Sequence, residues 1–250
     1  MDLAGGIIIR TVKDARMVYV RITMLSTSSL SARSKALAHF ERCDLRLYEA
    51  TKAHHKTLPL ELPEKRGADA LFSALVSIVI SQQLGTKAAD SIFVRVKKSC
   101  AGKLTPASVW ATPEKALREA GLSGAKIKTI KTLAHAVKTK KIDLISLKRD
   151  TVDNFFRALT SLWGLGPWSV EMFLMFALGH PDVFSTGDLG LIRSIERIYG
   201  IKEPTRTSLL SISEKWSPYR TWACLLLWRS RDAIPLTSFP AAVSTKGRHR

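Results

Sequence analysis

Apolar and polar positions alternate along most of this chain with a helical period. Between Ser34 and Lys52, Leu37, Phe40, Leu45 and Tyr48 recur on one stripe, which predicts an amphipathic helix with that stripe facing a core. Ala68 to Ser99 predicts one long helical stretch, with a break near Gly85. Thr105-Pro106 and Thr112-Pro113 read as helix starts, with proline at the first helical position. Gly121-Leu-Ser-Gly124 ends one helix and opens another through Ile127, Ile130 and Leu133. Thr151–Leu162, Ser169–Leu178, Asp188–Tyr199 (stopped by Gly200), Leu209–Lys215 and Tyr219–Arg229 complete the set. Thr57–Gly67, with Pro59 and Pro63, reads as a linker. Strand signals are confined to Ile7–Ile9 and Met17–Ile22. The pattern predicts an all-α fold: a two-lobed helical bundle with a cleft between the lobes.

Charge changes the picture more than size does. The chain has 39 Lys plus Arg against 21 Asp plus Glu, a net charge of +18. Such an excess favours a polyanionic partner, either nucleic acid or an anionic membrane. No apolar run can span a bilayer, since Leu71–Ile80 and Met172–Leu178 are short, and no helix splits cleanly into a basic and an apolar face. Nucleic acid is the expected partner. Cys43, Cys100 and Cys224 are far apart with no Cys-x-x-Cys pair, which argues against zinc or an iron–sulfur cluster and suits a reducing compartment. Residues 1–35 form a basic extension, with Ser-rich Ser26–Ser34. A transit peptide, a basic arm and an upstream extension before a start at Met24 all fit it. The folded core is expected over residues 36–235, followed by a basic tail at 236–250.

Leu162-Trp163-Gly164-Leu165-Gly166-Pro167-Trp168-Ser169 lies between two predicted helices. Its two glycines allow a tight turn with positive φ and let backbone amides approach a ligand. The next helix points its N-terminus, and its dipole, at the same place, an arrangement suited to an anion such as a DNA phosphate. An ordinary helical corner accounts for a Gly-x-Gly pair equally well.

The run from Gly164 through Leu191 closely resembles the DNA-3-methyladenine glycosylase II branch of the helix-hairpin-helix DNA glycosylase superfamily. Leu75-Val-Ser-Ile-Val-Ile-Ser-Gln-Gln-Leu-Gly-Thr-Lys-Ala-Ala-Asp90 and Gly121-Leu-Ser-Gly-Ala-Lys126 are further matching blocks, and the likeness covers about Leu37 to Asp232. The resemblance implies excision of alkylated purines such as 3-methyladenine from double-stranded DNA by base flipping, by a monomer that needs no cofactor. It places the catalytic carboxylate at Asp188, and Gly164, Gly166 and Ser169 against DNA. It also implies a monovalent cation (sodium or potassium) held by the backbone carbonyls of Thr160, Leu162 and Leu165. Relatives often have proline where this chain has Trp163.

Asp188 is also suited to capping a helix, and the two roles can coexist. Alkylation at N3 or N7 puts positive charge on a purine, so the base leaves with little protonation. The developing sugar cation is what needs stabilising, and one carboxylate can do that. Glu171, on the neighbouring helix, reads as structural or as a partner to basic surface residues. In the family pattern, glycosylases that also cut the strand carry a nucleophilic lysine where this chain has Trp168, and an indole cannot form a Schiff base. Trp168, Met172 and Trp228 match positions that line the base pocket, where aromatic faces attract a flat cation. Phe72 and Trp163 are weaker candidates. Gln83 and Leu84 match the position of a wedge that fills the gap left by the flipped base. Lys87, Lys126 and Lys128 could contact phosphate or form a solvated face. The competing readings are a bifunctional glycosylase/lyase and a non-enzymatic helix-hairpin-helix DNA-binding protein.

Overall fold

A computed structural model describes residues 30–65 and 67–231. The strand signals at 7–9 and 17–22, most of the N-terminal extension and the basic tail lie outside the described residues. Within them the regular structure is helical: α1 Ala32–Cys43, α2 Leu45–Ala50, α3 Ala68–Ser81, α4 Thr86–Ser99, α5 Pro106–Ala111, α6 Glu114–Glu119, α7 Gly124–Lys138, α8 Leu144–Leu147, α9 Val152–Thr160, α10 Pro167–Phe176, α11 Leu189–Tyr199, α12 Arg206–Glu214 and α13 Arg220–Ser230, with a 3-10 turn at Lys52–Thr57.

Short polar side chains start most of these helices by accepting orphan amides. Ser31, Asp44, Thr105, Ser123, Asp143, Thr151, Asp188 and Thr205 each do so. Pro106 follows its Thr cap as expected, whereas Pro113 is itself the cap of α6, so the second expected Thr-Pro start is displaced by one residue. Gly200 ends α11 in the left-handed conformation.

Two expectations are corrected. The helix expected over Ser34–Lys52 is broken at Asp44, whose extended φ of −153° ends α1 and whose carboxylate caps α2. The break rotates the stripe, so that Leu47 is buried and Leu45 is 59% exposed. In addition, α1 begins at Ala32, ahead of the core boundary expected at 36.

The stretch Ala68–Ser99 divides into α3 and α4 around the turn at 82–85. Helix α3 buries Leu71, Phe72, Leu75, Val76, Ile78, Val79 and Ile80, too many for one stripe, which marks a central helix. It packs on α4, α7, α8 and α10. Phe72 therefore belongs to the core and not to a pocket wall.

The main helix packings fall into two groups. Helices α1, α2, α11 and α13, with the 3-10 turn, pack on one another, so the ends of the described chain form one group. Helices α3 to α10 form the other. The buried apolar side chains nevertheless make one continuous core across both. This arrangement brings α10, from the middle of the chain, against the start of α11 and the end of α13.

Candidate active site

The turn between α9 and α10 is shaped by Gly164. Its φ is +85°, and a Cβ built there would lie 2.0 Å from Oγ1 of Thr129 on α7. Only glycine fits both the left-handed backbone and that contact. Gly166 differs from expectation: its backbone is extended at φ −96°, and it serves as the N-cap of α10. Trp163 projects from the turn, 46% exposed, with the Lys128 ammonium 4.3 Å from its ring centroid. This cation–π contact gives Trp163 a partner at the surface of the hairpin.

Ser169 also departs from its expected role. Its side chain is 2% exposed, its hydroxyl accepts from Gln82 Nε2 at 2.8 Å, and its N–H donates to the Gly166 carbonyl at 3.0 Å. The hydroxyl is therefore part of the scaffold behind the hairpin. Gln82 also donates to the Gly164 carbonyl at 3.1 Å.

The loop at 82–85 carries the expected wedge residues. Gln83 is left-handed at φ +57°, and Leu84 is 39% exposed. Lys126, instead of facing solvent, donates through Nζ to the carbonyls of Ile80 (2.7 Å) and Gln82 (2.9 Å) at the end of α3. Burial holds its pKa below the usual lysine value. Lys87 is exposed on α4.

Asp188 stands where the two helix groups meet. Its Oδ1 accepts the Leu191 N–H at 2.9 Å, which caps α11. The same oxygen accepts Trp228 Nε1 at 2.9 Å, and Oδ2 accepts Trp168 Nε1 at 2.8 Å. The carboxylate and both indoles are half-buried. Residues twenty and forty positions apart are thus tied together by charge-assisted hydrogen bonds. Met172, by contrast, is buried in the core one turn beyond Trp168.

Three neighbours escaped notice in the sequence. Phe176 lies at the end of α10 with its ring centroid 5.7 Å from that of Trp228. A Cβ at Gly190 would come within 3.0 Å of Asp188 Oδ1 and 3.1 Å of the Trp228 ring, so the absence of a side chain there lets carboxylate and indole meet. The Ser185 hydroxyl donates to Glu171 Oε2, and the Ser185 carbonyl accepts the Asp188 N–H. Glu171 thereby anchors the turn that leads to Asp188, the structural role expected of it. Burial pushes its pKa up, the Ser185 hydroxyl and Arg206 oppose that shift, and the charge of Asp188 adds to it.

Among the described residues, no group of three or more His, Cys, Asp or Glu side chains could hold a metal ion. The Thr160, Leu162 and Leu165 carbonyls offer neutral oxygen, a donor set suited to a hard cation of low charge. The Leu162 carbonyl already accepts the Leu165 N–H at 3.2 Å. No helix among the described residues is long and apolar enough to cross a membrane.

Comparison with known proteins adds four findings. The family described as HhH-GPD superfamily base excision DNA repair protein matches residues 76–218. DNA-3-methyladenine glycosylase 1 of Schizosaccharomyces pombe is 33% identical over 174 residues, covering 66% of this chain and 75% of the relative. Among solved structures, a DNA-3-methyladenine glycosidase from Bacillus halodurans is similar at 34% identity and a TM-score of 0.64, covering 80% of this chain and 89% of its own. The S. pombe 3-methyladenine DNA glycosylase, in complex with abasic DNA, is similar at 29% identity and a TM-score of 0.68, covering 78% of this chain and 95% of its own.

Proposed function

Because the chain belongs to the HhH-GPD superfamily of base excision DNA repair proteins, we propose that it is a DNA glycosylase that releases alkylated purines such as 3-methyladenine and leaves the strand intact. The observation that carries this reading is the convergence of two indole N–H groups on the Asp188 carboxylate.

The chemistry follows from the charges. An N3- or N7-alkylated purine is cationic and departs as a neutral base, so no strong general acid is required. As the glycosidic bond lengthens, positive charge grows on the sugar. Asp188 supplies the opposing charge and can orient the water that adds to the sugar. Its hydrogen bonds to Trp168 and Trp228 fix the carboxylate and set the planes of both rings. A flat cationic base then finds aromatic faces beside the carboxylate that assists its departure.

The rest of the DNA-facing surface supports this step. The +18 charge draws the polyanion in. The hairpin at Gly164 and Gly166, with the N-terminus of α10, grips a phosphate. Carbonyls of Thr160, Leu162 and Leu165 would hold a monovalent cation there, supplying positive charge toward that phosphate. Leu84, beside Gln83, enters the gap left by the extruded nucleotide. Trp168, lacking an amine, cannot form a Schiff base with the sugar, which sets this reading apart from a glycosylase/lyase.

The test is a duplex carrying a single N-alkylated purine, assayed for free base, abasic sites and strand breaks. The expected outcome is base release and an alkali-labile abasic site, with no break and no covalent adduct on borohydride treatment. A trapped adduct would contradict the monofunctional mechanism, and failure to release any alkylated base would contradict the reading as a whole.

A further inference from the structure

We infer that Gln82 is a positioning residue that couples the Leu84 loop to the glycine hairpin, so that phosphate gripping and wedge insertion act at one fixed spacing. The inference rests on the base-flipping reading above and adds to it a residue that touches neither base nor sugar.

The turn from α3 to α4 is held from two sides. On one side, the Lys126 ammonium takes the Ile80 and Gln82 carbonyls at 2.7 and 2.9 Å. These carbonyls lie at the C-terminal end of α3, where backbone acceptors lack helical partners and a cation is favoured. On the other side, the Gln82 side chain gives its amide nitrogen to the Gly164 carbonyl at 3.1 Å and to the Ser169 hydroxyl at 2.8 Å. Between these anchors Gln83 is left-handed at φ +57°, a conformation uncommon for residues other than glycine. The outcome is a partly exposed Leu84.

The hairpin is held by the same helix. Gly164 packs on Thr129, three residues after Lys126 on one face of α7. One rigid element thus backs both loops, and Gln82 is a direct polar bond between them. Either loop could form a DNA contact alone. Bonded together, they present the wedge at a set distance from the gripped phosphate, and small errors in such placement are expensive in rate.

The test is a double-mutant cycle on the full chain, read as single-turnover base release from a methylated duplex. Gln82→Met keeps the length of the side chain and removes its donors. It should slow release about tenfold, the scale of one or two lost hydrogen bonds, while the melting temperature stays close to wild type. Leu84→Ala should slow release by a similar factor. If Gln82 acts by placing Leu84, the double variant should be no slower than the slower single variant. Ser169→Ala, which removes one of the two acceptors, provides a second arm should Gln82→Met fold poorly. It should give a loss of about threefold, again absent in the Leu84→Ala background. Losses that multiply, a Gln82→Met protein as fast as wild type, or a Leu84→Ala protein as fast as wild type would each overturn the inference. A wild-type chain that releases no alkylated base would instead overturn the proposed function.

Discussion

Two aspartates in this molecule make nearly the same bonds in very different settings. Asp44 caps α2 through the Leu47 N–H, and its Oδ2 accepts the Tyr199 hydroxyl at 2.6 Å and Trp216 Nε1 at 2.9 Å. Asp188 caps α11 and likewise accepts two aromatic donors. Asp44 is only 7% exposed, and Trp216 and Tyr199 are buried with it among elements of the terminal helices. Burial and the Asp44 charge both push the Tyr199 phenol to a higher pKa, so it remains a donor. Asp188 is half-buried and lies between exposed Gly187 and Leu189. Its partners come from both helix groups. The contrast teaches that the bonds an aspartate makes do not define its role. The sealed carboxylate holds one group of helices together, whereas the accessible one holds two ring faces at the edge of solvent.

The strongest challenge to this contrast is Asp44→Ala. It strands a buried hydroxyl and a buried indole N–H and should lower the unfolding free energy by about 3–5 kcal/mol. Asp188→Ala should cost about 1 kcal/mol, the scale of a lost cap. Equal losses in denaturant titrations would erase the distinction. Next in size is Gly164→Ala, which combines an unfavourable left-handed backbone with the clash against Thr129. A destabilisation of about 2 kcal/mol is expected, with DNA affinity, read by fluorescence anisotropy, weakened about tenfold if the hairpin grips phosphate.

Trp168→Phe sharpens the comparison at the site itself. It keeps an aromatic ring and removes the N–H that holds Oδ2, so base release should slow about tenfold with little change in melting temperature. The smallest effect concerns Glu171. Burial raises its folded-state pKa above the unfolded value, so the charged form opposes folding. That penalty is absent below the unfolded pKa and grows to its full size as pH rises through the folded one. Glu171→Gln should therefore melt a few degrees higher than wild type at pH 8, and the gain should vanish near pH 4. A gain at acidic pH only would reverse the assignment.

These residues also show what the sequence could and could not disclose. Helices α3, α7 and α11 were readable because apolar period, caps and stops agree locally. The break at Asp44 was not, because the residue falls inside a run that keeps helical spacing, and its cap is reinforced by Tyr199 and Trp216, more than 150 positions away. At the candidate site, Asp188, Trp168 and Trp228 stood out by resemblance, but their mutual hydrogen bonds depend on how α10, α11 and α13 pack. Ser169 was placed against DNA by resemblance alone. Here Gln82 covers it. Gln82 and Thr129 gave no signal, and Lys126 read only as a phosphate contact or a solvated face, since polar residues read as solvent-facing until a loop is found packed on them.

The central claim is that the Asp188 carboxylate stabilises charge on the sugar as the base departs. Its most direct test is Asp188→Asn, which preserves size and the ability to cap α11 while removing the negative charge, together with the oxygen that accepts Trp168 Nε1. Single-turnover release of an N-alkylated purine should fall on the order of 10²–10³-fold, with binding to an abasic duplex and melting temperature close to wild type. Release at the wild-type rate by a folded Asp188→Asn protein would contradict the account.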